Sequence, residues 1–184
     1  MFDDNKNDID MPLSDYCKTE KGEIMHIWTL DKWKDNFTNI LFRRKGLRFR
    51  FDSTVDPEVK AACLRFGKWL RKNYIFPIRI PVYVKGKKYI KCCDGDFVCG
   101  TFFQPDNRDD EPYIRIATGN YLTDLEKFGR DEALALLLET ISHELTHYFQ
   151  WINNIKLTEI GYERQASAYS GYILDEYADV VDSP

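Results

Sequence analysis

The chain of 184 residues is 43% hydrophobic and 15% aromatic, which excludes an intrinsically disordered protein and predicts one domain with a real core. Its formal net charge of -4 gives no general attraction to nucleic acid. No apolar run approaches the roughly 18 residues of a membrane span, and the acidic start MFDDN lacks the chemistry of a secretory signal. We therefore expect a cytoplasmic protein with no membrane partner.

Five cysteines are spread along the chain without a regular framework. An odd number without paired spacings is typical of reduced thiols inside a cell. Three of them lie close together in sequence, but they lack the paired spacing of a structural zinc site, and we interpret them as core or strand cysteines. The five are Cys17, Cys63 and the close group Cys92, Cys93 and Cys99.

The first part of the chain is polar and acidic and shows no apolar period. Residues 1–22 therefore predict a flexible or docked arm, and residues 23–184 a single domain. From Glu23 to Leu41 apolar residues recur near helical spacing, and a short strand followed by a helix is the alternative. His26 lies alone in this segment. A hydrogen-bonded structural histidine is the favoured interpretation, with a metal ligand as the alternative.

Residues 43–50 form a basic cluster. Alternation at Leu47, Phe49 and Phe51 predicts a strand entered through a turn at Gly46. A charged strand face is the favoured interpretation. Binding of phosphate or a nucleic-acid backbone is the alternative, but no aromatic residue is interleaved on the charged face of this segment. The sequence therefore disfavours nucleic acid as a partner.

Asp56-Pro57-Glu58 has the chemistry of a helix start. Asp56 is suited to the N-cap, proline to the first helical position, and Glu58 to the first turn. Apolar side chains then recur at three- and four-residue steps, which predicts an amphipathic helix with one buried face. The predicted buried stripe comprises Val59, Ala62, Cys63, Phe66, Trp69 and Leu70.

Several strands follow this helix. Alternation over residues 76–84 predicts a strand, and Pro77 and Pro81 suggest either an edge strand or the end of a strand. Asp94-Gly95 is a hairpin signal between two further strands. The strands predicted after residue 84 cover residues 89–93, 97–103 and 113–117.

Two long helices are predicted at the end of the chain. The first has Asp131 as N-cap and Glu132 at the positive end of its dipole, and it ends near Asn153. The second covers about residues 158–180. The apolar stripe of the first helix is broad enough for a largely buried element. That stripe comprises Ala133, Leu134, Leu137, Leu138, Ile141, Leu145, Phe149 and Ile152.

The first of these helices carries His143, Glu144 and His147 in the pattern H-E-x-x-H. Residues four apart lie on one helical face, so both imidazoles can point at one ion. Zinc binds such ligands tetrahedrally, and a catalytic site keeps one position for water. Glu144 could take a proton from that water as it attacks a carbonyl. The motif predicts metal-assisted hydrolysis of a peptide or amide bond, with two inert surface histidines as the alternative.

The order of elements, together with His143, Glu144 and His147, resembles the zincin fold of HExxH zinc metallopeptidases. The closest likeness is to the gluzincin branch, including minigluzincins and ImmA/IrrE-like peptidases. This resemblance implies an α+β fold in which a twisted mixed sheet packs against the active-site helix and a C-terminal helix carries a ligand. It also implies an edge strand, here residues 98–103, that binds substrate antiparallel as an added strand.

The third ligand cannot be a downstream histidine, because none follows His147. Patterns such as that of the metzincins therefore do not fit. In the gluzincin branch a Glu from the next helix completes the site of the single zinc ion. At the usual helical rise the returning helix reaches the level of His147 near Glu163, whereas Glu159 falls short and Asp175 overshoots. Glu163 is favoured, and Glu159 is the alternative.

Side chains of secondary importance around such a site are less well defined. Tyr162, Tyr169 and Tyr172 are candidates for hydrogen-bonding an oxyanion, but core tyrosines are the more common case and none is assigned. A carboxylate is expected to orient the imidazoles, and Asp175 or Glu176 could serve.

The leading hypothesis is a cytoplasmic zinc endopeptidase acting on a peptide or protein substrate. Its general base would be Glu144, and its ligands His143, His147 and Glu163. The alternative is a catalytically silent zincin-fold binding or regulatory protein whose basic cluster contacts an anionic partner. Glu144 favours the enzyme, because a purely structural site has no use for a base. Substrate specificity and oligomeric state are left open.

Overall fold

The computed structural model describes residues 26–37, 43–92, 95–107 and 110–181. These residues form an α+β fold with a mixed sheet, as predicted. The predicted arm, Cys17, Cys93 and the end of the 23–41 segment lie outside the described residues. A 3-10 turn at Ile27–Thr29 precedes α1 (Trp33–Asn36), β1 (Leu47–Phe51), α2 (Pro57–Asn73), β2 (Ile80–Lys85), β3 (Ile90–Lys91), β4 (Phe97–Val98), β5 (Gly100–Phe103), β6 (Tyr113–Ala117), α3 (Tyr121–Phe128), α4 (Arg130–Ile152) and α5 (Glu159–Val181).

A four-stranded sheet in the order β1-β2-β6-β5 organises the fold. β1, β2 and β6 are parallel, and β5 pairs antiparallel with β6 at the edge. Apolar side chains of the inner face, such as Val82 and Ile114, are buried in one core with α2 and α4. The predicted strand over residues 97–103 is broken at Cys99. Its first part is β4, which pairs with β3 in a small hairpin, and its second part is the edge strand β5.

The prediction that β2 lies at an edge is wrong, because β2 lies between β1 and β6. Proline has no N–H to donate, which makes an interior strand unfavourable for it. Pro81 is opposite Arg48 of β1, and the pairing with β6 starts only at Val82. Pro81 therefore lies near the start of β2, before the residues that pair with β6. Of the two predicted positions, an edge or an end, the end is right.

α2 begins as predicted, with the Asp56 carboxylate accepting a hydrogen bond from the Glu58 N–H at 2.7 Å. The predicted stripe is buried except for Trp69, which is partly buried. Cys63 lies in this stripe, and burial raises the pKa of its thiol to about 12. It is therefore an unreactive core thiol, and Cys92 and Cys99 are free cysteines as well.

Over residues 26–37, the described part of the segment before β1, the chain does not form the regular helix that its apolar spacing favoured. It forms the 3-10 turn and the single turn α1. The Ile27 N–H donates to the Tyr169 hydroxyl, and the Trp28 indole N–H donates to Thr146 Oγ1. These contacts hold the turn against α4 and α5. His26 caps the turn through Nδ1, so the favoured interpretation of a structural histidine is confirmed.

α4 and α5 form an antiparallel pair that ends the described chain. α5 spans the predicted segment, but α4 begins earlier than predicted, at Arg130, and its N-cap is Gly129 rather than Asp131. Gly129 has a φ of 85°, which residues with a side chain rarely adopt, so the chain can turn directly from α3 into α4. No helix in the described ranges is both long and apolar enough to cross a membrane.

Candidate metal centre

His143 and His147 lie one turn apart on the face of α4 that faces α5. The helical repeat brings their Nε2 atoms to 3.2 Å from each other. Burial and the neighbouring His147 lower the pKa of His143, which favours the neutral imidazole that can bind a metal. The two predicted histidine ligands are thus side by side.

Glu163, in the second turn of α5, joins the two histidines. Its Oε2 lies 3.2 Å from His143 Nε2, and its Oε1 lies 3.3 Å from His147 Nε2. In the described ranges, these three residues have ligand atoms close enough together to hold a metal ion. Glu159 lines the same cleft without belonging to the group, so the structure brings Glu163 and not Glu159 to the histidines.

The spacing of the donors fits a tetrahedral metal ion. With zinc–ligand bonds of about 2.05 Å, neighbouring ligand atoms of a tetrahedron lie about 3.3 Å apart. The two Nε2 atoms are 3.2 Å apart, and they lie 3.2 and 3.3 Å from different oxygens of the Glu163 carboxylate, so that with one atom from each residue the donors lie within 4.8 Å of one another. Two imidazole nitrogens and a carboxylate are also a donor set found in catalytic zinc sites, where the fourth position stays open. The cluster could therefore hold a metal ion.

Gln150 orients His147, and the sequence analysis did not anticipate it. Gln150 Oε1 lies 2.7 Å from His147 Nδ1, and the Gln150 amide donates to the Tyr162 carbonyl and to Gln165 Oε1 at 3.0 Å each. Because the amide nitrogen of Gln150 is the donor in both of these bonds, its oxygen is the acceptor for the Nδ1–H of His147. This tautomer leaves the Nε2 lone pair of His147 free for a metal. The position of Gln150 three residues after His147, on the same helical face, was the available signal.

Glu176, one of the two carboxylates that could have oriented the imidazoles, lies elsewhere. It accepts hydrogen bonds from the hydroxyls of Tyr74 and Tyr172, on the His26 side of α5. That side lies about three and a half turns of α5 beyond Glu163, so Glu176 does not reach the imidazoles. At His147 an amide does the work that a carboxylate was expected to do.

Glu144 lies between the histidines in sequence but faces β5 rather than α5. It is only 7% exposed, and its carboxylate accepts a hydrogen bond from the backbone of Phe102. Gly100 makes room for it, since a Cβ at that position would lie 2.7 Å from Glu144 Oε1. Burial and then the charge of Glu163 raise the pKa of Glu144 to about 8. A carboxyl group with a pKa near neutrality can accept and return a proton.

These side chains line an open cleft of about 1150 Å³. β5 forms one wall, and the C-terminal part of α4 and the first turns of α5 form the other. A smaller hollow of about 340 Å³ reaches His143 from the opposite side and includes Glu139 and Ser170. The cluster is therefore accessible from two directions along the edge of the sheet. An extended chain beside β5 would pass over it.

The three candidate tyrosines have other partners. Tyr162 lines the cleft, but its hydroxyl donates to the Ile155 carbonyl at 2.6 Å. The Tyr169 hydroxyl is buried and accepts from the N–H of Ile27, and Tyr172 donates to Glu176. For Tyr169 the core alternative is therefore correct, and the hydroxyls of Tyr162 and Tyr172 donate to partners other than the cluster.

Comparison with known proteins gives no relative for this chain. No protein-family model, no curated protein and no solved structure matches it. The function therefore has to be inferred from the geometry of the chain's own side chains.

Proposed function

We propose that the protein is a zinc-dependent metallopeptidase with a zincin-like fold. The observation that supports this most strongly is one constellation: His143, His147 and Glu163 at tetrahedral spacing, with the buried carboxyl group of Glu144 beside them. Three protein ligands with an open fourth position are typical of a catalytic zinc site, whereas structural sites are closed by a fourth residue. A mixed sheet on one side and a ligand-bearing helix on the other is also the arrangement that the zincin resemblance implies.

Each residue of the constellation has a separate task. His143, His147 and Glu163 would hold the zinc ion, and Gln150 keeps His147 in the correct tautomer. When bound, zinc supplies Lewis acidity, which polarises a carbonyl and makes water easier to deprotonate. Glu144 takes the proton from the attacking water and returns it to the leaving amine. Because Glu144 is buried, bulk water does not compete for that proton.

The substrate class follows from the edge of the sheet. β5 pairs with β6 on one side and has no strand on its other side among the described residues. An extended peptide can bind there by main-chain hydrogen bonds, which places a carbonyl of the peptide over the cluster. A peptide or protein substrate therefore fits the cleft better than a compact small molecule does.

The Glu144→Gln variant tests this proposal, because it keeps the shape of the side chain and removes its capacity to accept a proton. We expect cleavage of a quenched fluorescent peptide library to fall about 100- to 10,000-fold, with zinc content unchanged. Glu132→Gln, the same change in the exposed first turn of α4, should cleave like the parent. Equal activity of Glu144→Gln and parent would overturn the proposal. Zinc binding without cleavage by the parent would favour the silent binding protein.

A further inference from the structure

The face of the sheet that points away from α2 and α4 combines cations with aromatic rings. Side chains alternate between the two faces of a strand, so the residues between the buried ones share this outer face. Tyr83 and Phe103 are 37% and 38% exposed there. We call this surface the outer face. Its members are Arg48, Arg50, Tyr83, Lys85, Thr101, Phe103, Tyr113 and Arg115.

Strand pairing arranges these residues in two rows across the sheet. In one row Arg50 is opposite Tyr83, and Tyr83 is opposite Arg115. In the next row Tyr113 is opposite Phe103. Tyr83 therefore has cations across and along the strands, and Tyr113 has Arg115 two residues along β6, whereas the neighbours of Phe103 are Tyr113 and Thr101. From the sequence alone only the arginines stand out, because Tyr83, Phe103 and Tyr113 lie more than 30 residues after β1.

The three rings contact one another rather than standing as separate exposed side chains. Phe103 and Tyr113 stack with ring centres 4.6 Å apart and planes at 13°. Tyr83 meets Tyr113 edge-on at 6.1 Å. The Lys85 ammonium lies 5.8 Å from the centre of the Tyr83 ring, and the Arg115 guanidinium lies 6.0 Å from that of Tyr113.

Charge along the chain is strongly segregated toward this part of the fold. Residues 43–91, which contain β1, α2, β2 and β3, carry 15 Lys and Arg against three Asp and Glu, a net charge of +12. The whole chain carries -4, so the remainder is acidic. The modest overall charge thus hides a basic segment of 49 residues, in which five of the 15 cations belong to α2 behind the sheet and ten to the strands and loops around it. Such asymmetry is a usual footprint of a nucleic-acid-binding surface.

We propose that the outer face binds single-stranded nucleic acid. Exposed bases stack on flat aromatic rings whatever their sequence, and cations beside the rings contact the phosphates. Four-stranded sheets that present aromatic residues on an open face stack two or three bases in this way. Tyr83, Tyr113 and Phe103 supply the stacking surface, while Arg48 and Arg50 at the rim face the backbone. An acidic peptide would use the cations and leave the rings without a role.

This site is separate from the metal cluster. Phe102 and Phe103 are neighbours on β5, but they point to opposite faces of the sheet. Phe102 lies in the cleft beside Glu144, and Phe103 stacks on the outer face. Nucleic-acid binding is therefore expected to be unchanged in Glu144→Gln, whatever that variant does to cleavage.

Fluorescence anisotropy of the full chain with labelled 12-nucleotide oligothymidine and oligouridine tests the proposal, and the two oligomers distinguish DNA from RNA. We expect binding of at least one oligomer that weakens as salt rises. Tyr83→Ala should weaken it about 5- to 100-fold, while Tyr83→Phe retains the ring and the affinity. Arg48→Glu with Arg50→Glu should weaken binding and reduce the salt slope by about 1.4.

Matched controls separate the outer face from general charge attraction. Lys68→Glu with Lys72→Glu makes the same charge change on exposed α2, behind the sheet, and Tyr172→Ala removes an exposed ring from α5. Both should bind like the parent, and circular dichroism checks that each variant is folded. The proposal is overturned if the parent binds neither oligomer, if Lys68→Glu with Lys72→Glu loses as much affinity as the outer-face pair, or if Tyr83→Ala binds like the parent.

Discussion

At the scale of single residues, the members of the cluster could be predicted from the sequence, but the side chain that orients His147 could not. The spacing of His143 and His147 predicts one shared face because α-helical geometry is fixed by the backbone. Gln150 lies on that same face, yet an amide three residues along has many possible roles. Its task depends on the Tyr162 carbonyl and on Gln165, which only the packing of α5 brings into reach.

Removing the amide of Gln150 is expected to weaken metal binding. Gln150→Leu should lower zinc affinity about 10- to 100-fold, because His147 loses the acceptor that fixes its ring. Gln150→Glu keeps the acceptor for His147 but sets an oxygen against the Tyr162 carbonyl, so it should restore that affinity only in part. Competition with a chromophoric chelator measures both.

The comparison includes Gln104→Leu, an exposed residue of the cleft, which should bind zinc like the parent. If Gln150→Leu folds and binds zinc as tightly as Gln104→Leu does, Gln150 has no role in positioning His147.

At the scale of elements, the sequence predicts the helices well because their signals are local. Asp56 and Pro57 mark the start of α2, and apolar periodicity marks α4 and α5. The sheet is harder to predict because strand order depends on long-range pairing. Pro81 favours an edge, yet β2 is interior. Likewise, no local pattern shows that Cys99 separates two strands. The strand before it pairs in the hairpin, and the strand after it lies at the edge of the sheet.

Gly100 of β5 provides a test of the contact between the sheet edge and α4. In Gly100→Ala the new Cβ would lie 2.7 Å from Glu144 Oε1 and 2.9 Å from Thr140 Cγ2, so the carboxylate has to move. We expect peptide cleavage to fall about 100-fold or more, since a displacement near 1 Å at a reacting group has that effect. Zinc content should stay the same, because the ligands lie on α4 and α5.

Gly171→Ala is the matched control, since a Cβ at that position of α5 meets nothing within 4 Å. It should keep full activity and gain about 1 kcal/mol of stability from the higher helix propensity of alanine. Cleavage by Gly100→Ala at the rate of Gly171→Ala would mean that Glu144 does not depend on its position against β5.

At the scale of the whole molecule, the 3-10 turn joins distant parts of the chain. Ile27 bonds to a residue 142 positions away and Trp28 to one 118 positions away, so no local pattern could predict where the turn packs. His26 lies at the same junction, against the rings of Tyr74, Tyr169 and Tyr172, and near Glu176. Its environment is therefore set by the completed fold.

The ionisation of His26 makes global stability depend on pH. Burial lowers its pKa from 6.5 to about 4, and only the charge of Glu176 acts in the opposite direction. Nδ1 accepts from the Trp28 N–H, which requires the neutral ring. The unfolded chain takes up a proton near pH 6.5 and the folded chain only near pH 4. The stabilisation is therefore complete above pH 6.5 and is lost as pH falls toward 4.

Thermal or urea unfolding between pH 7 and pH 4.5 should show a loss of about 2 kcal/mol in the free energy of unfolding that is due to His26. His26→Asn keeps a capping acceptor and does not titrate, so its stability should decline less over this interval. Parallel pH profiles for the parent and His26→Asn would show that His26 is not responsible for the decline.

Zinc-edge X-ray absorption on the zinc-loaded protein tests the metal centre most directly. We predict one zinc ion bound by two imidazole nitrogens and a carboxylate oxygen at about 2.0–2.1 Å. Glu163→Ala should lose this signal or bind zinc far more weakly, while Glu159→Ala should give the parent spectrum. Sulfur ligands at about 2.3 Å, or a parent protein that retains no zinc, would contradict the account.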